Sequence, residues 1–191
     1  LADATNTIAE GEVLQLMNMH DPDVNEERYL QVIHYKTGKL FEASSALGAL
    51  LAKSTPEQYV AAEAYGRHIG TAFQLIDDIL DYTADAAQMG KNAGDDLREG
   101  KPTLPLIYLL EHGTEAQKKL VRSAIEQAEE LPEDLFQQVY QAIMESDALA
   151  YTQAAAEREA RLAKETIQCF PMNEATQSLL DLCSYSLKRS T

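Results

Sequence analysis

The sequence predicts an all-α fold. Apolar residues recur at three-to-four spacing through most of the chain. No period-two alternation of β-branched residues is bounded by turns, and helix start and stop signals flank the periodic segments. At 191 residues the chain suits one domain, 1–191, with a sizeable core.

The first helix is predicted over residues 2–19. It stops at "HDPDVN", where Pro22 interrupts it and Asn25 can cap the next helix. "EERYLQVIHYKTGKLFEASSALGALLAK" reads as two helices, or as one bent at Thr37–Gly38. Ala43, Ser44, Ala46 and Gly48 in its later part suit either a tunnel wall or close helix packing. Thr55, Pro56 and Glu57 open a third helix with a cap and a first-turn proline. Its pattern reaches Asp85, a length of about 45 Å, with Ile69, Phe73, Ile76 and Leu80 as its core stripe. "AAQMGKNAGDDLREGKPTLPL" follows as a long connection with three glycines and two prolines, and loops of that length in compact domains are usually functional or disordered. Further helices are predicted near 104–112, 114–130, 133–146, 148–168 and 173–188. The stretch "HGTEAQKKLVRSAIEQAEELPEDLF" reads as a solvated charged face with no chemistry of its own.

A formal charge of -15 argues against a nucleic-acid surface, because phosphate binding needs basic patches. No apolar run approaches the roughly 18 to 20 residues that span a bilayer. "LADATNTIAE" lacks the parts of a signal peptide, and a cytoplasmic location is expected. Cys169 and Cys183 match no zinc or redox spacing, so reduced thiols are expected. The chain opens on Leu1 inside what reads as a helix, as a piece of a longer protein would.

"FQLIDDILDYTAD" sets four aspartates into a largely apolar helix. Gln74, Asp77 and Asp81 stand at i-3, i and i+4 and share a face, while Asp78 lies about 100° round at its flank. Clustered carboxylates repel one another and burial adds a desolvation cost, so a cation is the natural counter-charge. An exposed acidic stripe is the plain alternative. The sequence lacks an EF-hand loop, and nothing supports a glycosidase-like acid pair. Lys36, Lys39, Lys91 and Lys101 accompany the glycine- and aspartate-rich features. Magnesium prefers one or two carboxylates plus phosphate oxygens and water, so carboxylates with lysines can form a diphosphate site. The four histidines do not gather, and Glu12 reads equally as a cavity or a solvent-facing residue.

In their order and spacing, "GEVLQL", "YKTGKLF", "FQLIDDILD" and "GKNAGDDLREGKPTLPLIYLL" resemble the trans-polyprenyl diphosphate synthases. The likeness is closest to bacterial long-chain members of the octaprenyl type. It implies an isoprenoid-synthase-type helical bundle around a central cavity, here lacking its N-terminal helices. It implies that isopentenyl diphosphate and an allylic prenyl diphosphate are substrates, that magnesium is the metal and that a homodimer forms. By the same resemblance, Asp77 binds magnesium directly, Asp81 binds it directly or through water, and Asp78 supports the site by hydrogen bonding or a water shell. Lys36 and Lys91 contact the allylic diphosphate, with Lys101 a weaker candidate. Thr37, Phe73 and Gln74 position the isopentenyl group.

One departure limits the analogy. The family's first aspartate-rich motif is absent, so the chain alone is expected to be inactive. A non-catalytic partner subunit and a class I terpene cyclase are the competing enzyme-family readings. A linear diphosphate product against a hydrocarbon separates elongation from cyclisation. A plain helical interaction module predicts no metal dependence.

Overall fold

The computed structural model describes residues 1–83 and 94–188. Among them the regular structure is helical: α1 (Ala2–Asn18), α2 (Glu26–Ile33), α3 (Lys39–Leu51), α4 (Pro56–Thr83), α5 (Asp95–Arg98), α6 (Leu104–His112), α7 (Glu115–Glu126), α8 (Glu133–Met144), α9 (Ala148–Thr166) and α10 (Glu174–Lys188). No described helix is long and apolar enough to cross a membrane.

The cap signals hold. The Asn25 side chain accepts a hydrogen bond from the Arg28 N–H at 2.9 Å. Thr55 and Gln58 exchange bonds between side chain and backbone at the start of α4, satisfying N–H groups that a helix cannot pair internally. Arg28 then clamps the α1–α2 turn by donating to Asp21 Oδ2 and Asn18 Oδ1.

The bend expected at Thr37–Gly38 is a π-turn, His34–Gly38, between α2 and α3. Such a turn inserts an extra residue into the helical ladder and re-aims the side chains on it, here Lys36 and Thr37. α1 crosses directly over the turn at Gly11, where an added Cβ would lie 2.5 Å from the Lys36 nitrogen. Gly66 gives α4 the same closeness to α3, since a Cβ there would collide with the Phe41 carbonyl oxygen.

α4 runs through the middle of the bundle, packed chiefly between α3 and α9. One core beneath its acidic half joins Leu75, Ile76, Ile79 and Leu80 to Val24, Tyr29, Ile33, Leu104 and Ala155. A second core holds α6, α7 and α8 together around Leu106, Val121, Ile125, Phe136 and Val139. The core stripe expected on α4 needs one correction: Ile69, Ile76 and Leu80 are buried, but Phe73 is only half-buried. The connection after α4 is also more regular than its glycines indicate, because α5 interrupts it.

Candidate active site

Tyr29, Val32, Ile33, Lys36 and Thr37 from α2 and the π-turn, with Gln15 and Asn18 from α1, form one wall of a pocket of about 270 Å³. Gln74, Asp77 and Asp78 of α4 form another, and Asp96, Lys101, Pro102 and Thr103 close it. Six of the residues expected at a site thus line one pocket: Lys36, Thr37, Gln74, Asp77, Asp78 and Lys101. Asp81 and Phe73 are not part of this lining. Lys91 lies outside the described residues. Lys39 pairs with Glu42 at 2.5 Å on α3, away from the pocket lining.

The two adjacent aspartates behave differently. Asp77 is exposed towards the pocket, whereas Asp78 is 2 % exposed and held at both oxygens. The Tyr29 hydroxyl donates to Asp78 Oδ2 at 2.5 Å, and Gln74 Nε2 donates to Oδ1 at 2.9 Å. Gln74 Oε1 in turn accepts from the Thr37 hydroxyl at 3.0 Å. Burial, followed by the charge of Asp96, pushes the Asp78 carboxyl up to about 8.

Asp81 serves the return of the chain. Its Oδ2 accepts from the Asp96 N–H at 3.2 Å, and its carbonyl accepts from the Gly94 N–H at 2.7 Å. Burial and then the Asp96 charge raise its carboxyl to about 7. Asp96 itself is raised by burial, against the opposing pull of Lys101. Lys101 Nζ lies 3.3 Å from Asp96 Oδ1 and also contacts Glu99.

On the opposite wall, Lys36 Nζ sits 2.8 Å from both Glu12 Oε2 and Gln15 Oε1. Glu12 is thus the solvent-facing residue of the two alternatives, and it pairs with Lys36. His20 lies against Gly100, His68 pairs with Glu159 at 2.7 Å and His112 packs beside Tyr108. None of these histidines lines the pocket.

Sequence reasoning missed Tyr29, Asp96 and Gln15. Asp96 had a signal in the second aspartate of "GDDLREGK", which returns a carboxylate close to a lysine. Tyr29 had none, because its partner is 49 positions away.

The donor set is chemically suited to a hard cation: carboxylate oxygens raised by burial and mutual repulsion, with the exposed Asp77 facing the cavity. Among the described residues no three acidic, thiol or imidazole side chains are grouped to hold an ion by themselves. Beside this polar pocket lies an apolar one of about 500 Å³, where Phe73 meets Phe41 at 5.7 Å between ring centroids. Ser44 lines that second pocket and Gly48 another farther along α3, while Ala46 is buried.

Comparison with known proteins places these features in a family context. The polyprenyl synthetase family model matches residues 1–143. The octaprenyl diphosphate synthase of Escherichia coli K12 is 47 % identical over 189 residues, covering 99 % of this chain and 58 % of that protein. The all-trans-nonaprenyl-diphosphate synthase (geranyl-diphosphate specific) of Rhodobacter capsulatus is 43 % identical, covering 97 % of this chain and 56 % of its own length. A crystal structure of polyprenyl synthase from Caulobacter crescentus CB15, complexed with calcium and isoprenyl diphosphate, superposes with a TM-score of 0.92 at 39 % identity. That match covers 100 % of this chain and 58 % of the other. The chain thus spans somewhat more than half the length of the relatives it matches.

Proposed function

The chain belongs to the polyprenyl synthetase family, and from that premise we propose that its protein is a prenyltransferase. It extends an allylic diphosphate, such as farnesyl diphosphate, with isopentenyl diphosphate units to a long-chain all-trans product of octaprenyl length. The observation that carries this reading is the meeting of Asp77, Asp78 and Asp96 with Lys36 and Lys101 around one pocket. Acidic groups short of positive charge face lysines able to take phosphate oxygens, and the identity to octaprenyl and nonaprenyl synthases supports the long product.

Asp77 and Asp81 would hold magnesium; a Caulobacter relative complexed with calcium and isoprenyl diphosphate supports a divalent ion. Bound magnesium would supply positive charge to the departing diphosphate without redox chemistry. Lys36, Lys91 and Lys101 neutralise the remaining diphosphate oxygens. The allylic carbon–oxygen bond breaks with its electron pair leaving on diphosphate. The isopentenyl double bond forms the new carbon–carbon bond, and the neighbouring carbon gives its proton to the released diphosphate. Thr37, Gln74 and Phe73 position the reacting carbons, while Val32 and Ile33 help keep water from the cation. A homodimer in the cytoplasm, supplying a quinone side chain, is the setting that the family resemblance suggests.

The test is calorimetric binding of farnesyl diphosphate to this chain with and without magnesium. Binding should require magnesium and weaken at least 100-fold in Asp77→Ala. Equal affinity in the presence of EDTA would refute the reading.

A further inference from the structure

We propose that Tyr29 is a positioning residue. Through Asp78 and Gln74 it fixes the direction of the Thr37 hydroxyl, whose hydrogen is turned away from the pocket. The bonds form one chain across three elements: Tyr29 on α2, Asp78 and Gln74 on α4, and Thr37 on the π-turn.

Direction follows from the chemistry of each partner. The Tyr29 hydroxyl meets Asp78 Oδ2 and the Gln74 amino group donates to Oδ1; a charged Asp78 accepts both, and a neutral one that carries its proton on Oδ2, towards Tyr29, still accepts at Oδ1. A Gln74 oxygen turned towards Asp78 would set two acceptors against each other. The amide therefore presents its oxygen to Thr37, which must donate. The Thr37 hydrogen is then committed, and only oxygen lone pairs remain for the pocket that Thr37 lines. A diphosphate oxygen does not fit such a surface, whereas a donor or an electron-poor group does.

Tyr29 anchors this order. It is 5 % exposed, packed among Val24, Ile33, Leu75 and Ile79, and its hydroxyl meets the one Asp78 oxygen that Gln74 leaves open. Without that bond the buried carboxyl loses a hydrogen-bond partner. It is then free to rotate, and the Gln74 amide loses its reason to face one way. The chain of bonds stands without any ligand. Its consequence for which end of a substrate meets Thr37 rests on the function proposed above.

The experiment reads the Gln74 side-chain amide by nuclear magnetic resonance in the ligand-free chain labelled with 15N-glutamine, the signal being assigned with Gln74→Glu. In the parent the two amide protons should be widely split and slow to exchange. Tyr29→Phe should move the pair towards the positions of a free amide and speed exchange at least tenfold while helix content is kept. A pair unmoved in Tyr29→Phe would overturn the anchor role. Thr37→Val, at the pocket surface, tests the other end should Tyr29→Phe not fold. It should shift the same pair, and no shift would overturn the assigned direction. The amide signals are read without any ligand, so absence of magnesium-dependent diphosphate binding in the parent would count against the proposed function alone.

Discussion

Two regions of this molecule carry dense negative charge and treat it in opposite ways. Along α7, α8 and the turn between them, Glu126, Glu129, Glu130 and Glu133 face solvent over an apolar underside of Val121, Ala124 and Ile125. There Glu133 is held below the usual carboxylate range by hydrogen bonds from Gln137 and then Arg98. Around the end of α4, Asp78, Asp81 and Asp96 are withdrawn from water, and burial raises all three. Surface charge is screened and cheap, while buried like charge needs a counter-ion. The difference supports the proposal that the α4 cluster is the chemical site, although both regions look equally acidic in composition.

Substitutions can separate the two regions. The largest effect on folding is expected from the underside of the charged face. Ile125→Ala removes a fully buried side chain and should cost about 2–5 kcal/mol in urea unfolding, with magnesium-dependent diphosphate affinity unchanged in the folded fraction. Gly11→Ala should cost about 1–3 kcal/mol, because its Cβ meets the Lys36 backbone. Unlike the first, it should also weaken diphosphate binding by moving α1 from the π-turn; intact affinity would detach the turn from the site. Glu129→Gln should change stability by no more than about 0.5 kcal/mol and leave binding as it was. A clear loss of affinity there would erase the contrast between the regions.

Much of the fold was legible because helix periodicity and caps are local signals. Asn25, Thr55 and Pro56 mark their helix starts as their chemistry predicts. The face shared by Gln74, Asp77 and Asp81 follows from helical geometry alone. What was not legible depends on partners remote in sequence. The flank position of Asp78 becomes burial only because α2 lays Tyr29 against it. The irregularity at Thr37–Gly38 was visible, but its resolution as a π-turn depends on α1 and α4 pressing on it through Gly11 and Gly70. Asp96 was hidden by its setting, since the neighbouring glycines read as a loop where α5 returns a carboxylate to the site.

On the proposed reading, the α4 carboxylates stay short of positive charge until a cation arrives. Asp78 tests it through pH. A carboxyl whose folded value is raised from 3.8 to about 8 contributes stability that is complete below the unfolded value and lost as pH rises through the folded one. The first measurement is therefore unfolding free energy in EDTA from pH 5 to pH 9, for the parent and for Asp78→Asn, repeated with magnesium and inorganic diphosphate. The metal-free parent should lose roughly a few kcal/mol more than Asp78→Asn across that range. Magnesium with diphosphate should narrow the gap. Parallel curves for the two proteins in EDTA would contradict this reading.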